Sequence, residues 1–229
     1  YSIYTQSERS EWDGVRSYID EIIESFAIDL SISSEWPPEI QAFTPTPTLG
    51  PSLTGRGVQF GPVDGSLDHD PSSGFIPSYS SNVLLRNAVV EAIFVPPHYD
   101  LSRHWSSGFM LRDTGSLLHH TVVIGSDGYW YHHLRMGDGL VDTLKAQYSP
   151  HISTNEGGTN HVRVIILDHV GWLFINGNYV AELDLSGWSE AGDVTVIGAW
   201  WSSDIYEGES TSYKDFTVRS LQTIYGPES

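Results

Sequence analysis

Trp130, Trp200 and Trp201, with Asp204 just behind the last two, are the residues of this chain best suited to hold a ligand. A sugar ring stacks its apolar face on an exposed aromatic side chain while a nearby polar group binds its hydroxyls. The stretch "AWWSSD" brings Trp200, Trp201 and Asp204 into one short segment, and Trp130 follows a Ser-Asp-Gly turn at 126–128. Neighbouring residues on a strand point to opposite faces, so at most one of Trp200 and Trp201 is expected in a core. The competing reading for all of them is core or interface packing.

Two histidine pairs, His119-His120 and His132-His133, flank the same turn and raise the question of a metal site. A two-residue turn at Asp127-Gly128 would set Val123 opposite His132. His119 and His132 would then share a face about 13 Å apart along the strands, too far to grip one ion. They read as polar-face histidines. The loop "DHDPSSG" is better matched to calcium, with Asp68 and Asp70 alternating and Ser and backbone oxygens completing a hard-oxygen shell. The same residues are ordinary turn formers. No cofactor is expected other than calcium at that loop.

No catalytic residues are expected. Glu182/Asp184 and Glu207/Glu209 have the i, i+2 spacing of paired carboxylates but lack the third acid of the Glu-x-Asp-x-x-Glu strand used by glycanases, and they read as solvated. A phosphate-binding glycine loop, a nucleophile elbow and a His-Glu-x-x-His helix are all absent from the sequence. So is cysteine, which excludes thiolate chemistry, disulfides and Cys-based metal sites.

The elements that must position these residues read as strands. "HVRVIILD", "GWLFING" and "NYVAELDL" form two successive hairpins, turning on Asp168-His169 and on Asn176-Gly177, the second a positive-φ pair suited to a tight turn. Further strands are expected at "GVQFG", "VLLRNAVVEAIFVP", "SSGFMLRD", "HHTVVIGS", "YWYHHLRM", "DVTVIGAWW" and "SYKDFTVRSLQTIY", with Gly- and Asp-rich turns between them. Many short strands without an intervening helix predict a mainly β fold, an antiparallel two-sheet jelly-roll sandwich over residues 55–225.

Residues 1–35 differ. "YSIYTQ" reads as a strand and "SEWDGVRSYIDEIIESFAI" as an amphipathic helix, with Trp12, Val15, Ile19, Ile22, Ile23 and Phe26 along one face. One strand and one helix cannot bury that stripe alone, so it must dock on the sandwich, on further chain or on another subunit. Residues 36–54, with "TPTPT", read as a stiff extended linker. The chain opens at Tyr1 rather than Met, which reads as a cleaved or excised start with more sequence upstream.

Formal charge is −18, from 29 acidic and 11 basic residues, which leaves no basic face for nucleic acid or an anionic membrane. No apolar run reaches the roughly 18 residues a spanning helix needs. An acidic, aromatic-rich, lysine-poor chain with a Thr-Pro linker is expected outside the cell or at its surface.

The order "GPVDGSLDHD", "VVEAIFVPP", "WSSGFMLRD", "HTVVIGSDGYWYHHLR", "GWLFINGNYVAELDL" and "YKDFTVRSL" resembles the concanavalin A-like, laminin-G-like β-sandwich modules of bacterial surface proteins over about residues 56–222. Residues 1–28 resemble the last strand and helix of a PsbP-like domain. Since the sandwich family includes lectins, adhesion modules, glycanases and spacers, the resemblance implies a fold more than a task. Two roles are expected to compete. One is a non-catalytic assembly subunit of a cell-surface structure, self-associating into a homo-oligomer or filament through the Trp12–Phe26 stripe. The other is an adhesion module that binds a glycan or protein through Trp130, Trp200, Trp201 and Asp204.

Overall fold

The computed structural model describes residues 58–73, 75–97, 103–137, 140–155 and 157–221. The strand–helix arm, its Trp12–Phe26 stripe, the linker and the PsbP-like resemblance lie outside the described residues. Within them the chain is an antiparallel two-sheet jelly-roll β-sandwich.

One sheet runs β1 (Val58–Asp68), β12 (Ser210–Ser220), β3 (Ala88–Val95), β8 (Asn160–Leu167), β9 (Val170–Ile175) and β10 (Asn178–Asp184). The other runs β2 (Ser78–Ser80), β11 (Asp193–Gly198), β4 (Ser106–Asp113), β5 (Leu118–Gly125), β6 (Tyr129–Met136) and β7 (Leu140–Tyr148). Alternation sets the inner faces. Val90, Ala92 and Phe94 of β3, with Val162, Val164 and Ile166 of β8, meet Phe109 and Leu111 of β4 and Val122 and Ile124 of β5. Phe109 bridges the sheets, 5.4 Å from Phe94 and 6.2 Å from Phe216 between ring centroids. Each such ring contributes about 1.5–3 kcal/mol by its burial.

The β8–β9 and β9–β10 hairpins turn where the sequence places them. Asp168, Asn176 and Gly177 all have positive φ, and Asn176 and Gly177 make the expected left-handed pair. A bulge follows in β10 between Tyr179 and Ala181, after which Ala181, Leu183 and Leu185 point inward.

On the outer face of the first sheet, Glu91 of β3 gathers three cationic or polar neighbours. Arg163 donates from Nε at 2.8 Å and lies at 2.7 Å through Nη2, Arg219 Nη2 lies at 3.1 Å and His161 Nε2 at 3.3 Å. Burial alone would raise this carboxyl, but His161 and the two guanidinium groups outweigh it and hold its pKa down to about 2. Its stabilisation is therefore complete above the usual carboxylate range and is lost as pH falls from 4.5 towards 2. Glu91→Gln leaves two guanidinium groups facing each other without a counter-charge and is expected to cost about 2 kcal/mol at pH 7, read as a lowered urea midpoint with an unchanged slope.

Candidate functional site

The loop after β11 carries the two adjacent tryptophans, and a set of hydrogen bonds fixes its path. Ala199 takes positive φ and its amide donates to the Ser106 carbonyl at 2.7 Å. The Trp200 amide donates to Ser106 Oγ at 2.8 Å, and Ser106 Oγ in turn donates to Asp204. Ser203 Oγ adds a second donor to Asp204 at 3.3 Å, and the Asp204 amide closes a short 3-10 turn (Ser202–Asp204) onto the Trp201 carbonyl at 2.9 Å.

Trp200 and Trp201 thus leave the strand before either can enter the core, and both are half-buried. Trp200 stacks on His133 at 5.5 Å and 21°. Trp201 stands edge-on to Tyr131 at 4.8 Å and 76°. Tyr131 is fixed from below, because its hydroxyl donates to Asp127 Oδ2 at 2.5 Å while Asp127 Oδ1 accepts from the Tyr129 amide at 3.0 Å. Burial and then the Asp127 carboxylate push the Tyr131 phenol above its ordinary range, so it stays a neutral donor. Beside Trp201 lies a small cleft of about 180 Å³ whose wall includes Trp105, Ser126, Asp127, Ser203 and Asp204. That is below the ~300 Å³ of typical small-molecule pockets and suits one ring-sized group.

Two of the expected ligand residues take other roles. Trp130 is not a loop aromatic: it pairs with Ile124, is fully buried in the core and has Lys145 Nζ 5.4 Å from its ring. Asp204 borders the cleft but is 1% exposed, and its carboxylate is occupied by Ser106 and Ser203, so it orders the tryptophan loop and does not reach outward.

The histidines differ from expectation by one residue of register. Gly128 has positive φ and its amide donates to the Gly125 carbonyl at 3.0 Å, so the connection is one residue longer than a two-residue turn. Val122, not Val123, faces His132. A one-residue slip exchanges the faces, so His120 and His132 meet inside the sandwich, His120 Nδ1 lying 3.0 Å from His132 Nε2. His120 Nε2 is 3.1 Å from the Trp188 carbonyl, an acceptor only. The imidazole therefore donates there and accepts from His132. His119, Thr121, His133 and Arg135 share the outer face with Tyr131.

Asp68 ends β1 opposite Ser210, and Asp70 closes a turn in which its Oδ1 accepts from the Ser72 amide and hydroxyl at 2.8 and 2.6 Å. Among the described residues no group of three or more His, Cys, Asp or Glu lies together as a metal shell. No described helix is long and apolar enough to cross a membrane.

Arg112 carried no signal in the sequence reading. It is the extra residue at the bulge between β4 and β11, has positive φ and is 1% exposed. Its guanidinium donates to the Arg86 carbonyl at 3.2 and 2.9 Å, to the Trp188 carbonyl at 3.0 Å and to the Asp168 carbonyl. A strand-interior arginine flanked by Leu111 and Asp113 reads as solvent-facing until the bulge turns it inward.

No family model and no curated protein matches this sequence. Solved structures do match in fold. The carbohydrate-binding module CBM66 from Bacillus subtilis superposes with a TM-score of 0.51 at 11% identity, over 73% of this chain and 95% of the module. A β-fructofuranosidase from Aspergillus kawachii, complexed with glycerol, gives 0.51 at 12% identity, over 76% of this chain but 28% of the enzyme. What the chain shares with both is the fold, a two-sheet β-sandwich.

Proposed function

We propose that the chain is a non-catalytic glycan-binding module acting outside the cell or at its surface. The observation that carries this reading is the pair of half-exposed tryptophans, locked by Ser106 and Asp204 and braced on Tyr131 and His133, beside a cleft with polar walls. Rigid aromatic faces with adjacent hydrogen-bonding groups are what sugar recognition needs, and a preorganised loop lowers the entropic cost of binding. Likeness of fold to a carbohydrate-binding module supports the same reading.

The non-catalytic part of this reading is supported by how the two cleft carboxylates are used. Asp127 accepts from Tyr131 and the Tyr129 amide, and Asp204 accepts from Ser106 and Ser203. Glycoside hydrolysis needs one acid with a proton to give and one carboxylate aimed at the sugar or at water. Trp201→Ala is expected to weaken retention on a bound polysaccharide about tenfold or more, with little change in melting temperature, because the side chain is half-exposed. Affinity electrophoresis checks it; unchanged retention would remove the tryptophan platform from the site.

Self-association through the Trp12–Phe26 stripe is the second reading, motivated by the sequence's amphipathic pattern. The solution mass of the full chain tests it, and a monomer rules it out.

A further inference from the structure

We infer that the outer face of the β5–β6 hairpin reads sugar hydroxyls next to the tryptophan platform, and that the ligand is a neutral glycan and not an acidic one. This rests on the glycan-binding reading above. The facing pairs His119–Arg135 and Thr121–His133 form a block of four side chains on this face. Each carries a buried polar atom with no hydrogen-bond partner: Nε2 of His119, whose Nδ1 faces Asp113, Oγ1 of Thr121, Nε2 of His133 and Nε of Arg135. His119, Thr121 and His133 are 3%, 0% and 4% exposed. Folded proteins pair roughly 90% or more of such groups, so this concentration on one face asks for a partner.

The surroundings place that partner. His133 is the residue on which Trp200 stacks, so the block runs directly into the platform. Met110, opposite Thr121, and Arg135 border the block and are half-buried. Both side chains are unbranched and flexible, able to swing aside for a ring.

The kind of hydrogen-bonding groups decides the ligand's charge. Arg135 donates, Thr121 donates and accepts, and a neutral imidazole offers one donor and one acceptor. Burial holds His133 neutral, with a pKa of about 4. A vicinal diol both donates and accepts and can satisfy this mixed set. A carboxylate or sulfate only accepts, so it would leave the imidazole acceptors facing an anion. Asp113, 3.8 Å from His119 Nδ1, and the net charge of −18 add repulsion against an acidic chain.

Affinity electrophoresis of the full chain tests this, with laminarin, dextran, mannan and inulin as neutral probes and alginate and dextran sulfate as acidic ones. At least one neutral probe is expected to retard the protein and neither acidic one to do so. Thr121→Val, which exchanges the hydroxyl for a methyl of similar size, is expected to raise the dissociation constant roughly tenfold while the melting temperature holds or rises, because an unpaired buried hydroxyl is removed. Unchanged retardation of Thr121→Val overturns the inference, and a lowered melting temperature alongside it identifies ordered water as the hydroxyl's partner. Retardation by either acidic probe, alone or beside a neutral one, also overturns it. If Trp201→Ala abolishes binding and Thr121→Val does not, the glycan-binding function stands and only this inference falls. If no probe retards the wild-type chain, both fall together.

Discussion

Arg112→Met is expected to lower the free energy of unfolding by about 3–5 kcal/mol, the largest single-residue effect in the sandwich. Replacing a buried charge with an apolar side chain is often neutral when its partner is removed too. Here the partners stay: the carbonyls of Arg86, Trp188 and Asp168 converge on one guanidinium. The Trp188 carbonyl keeps the His120 imidazole as a donor, while those of Arg86 and Asp168 lose the guanidinium at about 1–3 kcal/mol each, which exceeds what removing a desolvated cation returns. Desolvation is substantial all the same, since burial lowers the Arg112 pKa to about 10. Arg112→Lys is expected to recover only part of the loss, because one ammonium on a single stem cannot match a planar fork spread over three carbonyls. Urea denaturation measures both. Binding supplies an independent control. Arg112 lies six residues along β4 from Ser106, about 20 Å from the tryptophan loop, so polysaccharide retention by the folded Arg112→Met protein is expected to match the wild type. Equal stability of the Met variant and the wild type would show that the Arg86 and Asp168 carbonyls find other partners.

The arginine also shows where sequence reading stops. Strands that bury one face announce themselves by alternation, and the β8–β9–β10 meander was legible down to its turn residues because Asn176-Gly177 has few other uses. β7 was not, although it is nine residues long: its described side chains, from Val141 to Tyr148, are all exposed, so its two faces carry no contrast. β2 has three residues and no period to read. Arg112 and the histidines failed for a different reason. Both depend on a one-residue insertion, at a bulge and at a turn, and a period of two converts one residue into the opposite face. The same slip moved Trp130 inward. Trp200 and Trp201 were legible as a pair, but the Ser106–Asp204 lock that positions them joins residues 98 apart in the chain.

That slip has a thermodynamic consequence, because it puts two imidazoles in a core. His120 and His132 are 0% and 1% exposed and share a hydrogen bond. Burial is the first cause that lowers their pKa values, to about 4 and about 3, and for His132 the neighbouring His120 comes next. Below pH 6.5 the unfolded chain takes protons on these rings while the folded chain does not. Falling pH therefore draws the equilibrium towards unfolding: the stability is complete above 6.5 and drains away as pH drops towards 4. Each pH unit of separation is worth about 1.4 kcal/mol per group, so acidification from 6.5 to 4.5 is expected to cost on the order of 3 kcal/mol or more. Glu91, with its pKa lowered from 4.5, draws on the interval beneath, which leaves 6.5–4.5 to the histidines. Urea midpoints at half-unit steps of pH test this; because burial also holds His133 at about 4, His132→Phe should flatten the slope across that interval by about a third while leaving the decline below 4.5 in place. A wild-type midpoint that holds level from 6.5 to 5 would mean that the imidazole pair accepts a proton inside the sandwich, with the Asp184 carboxylate, which favours charge on both rings, outweighing their burial.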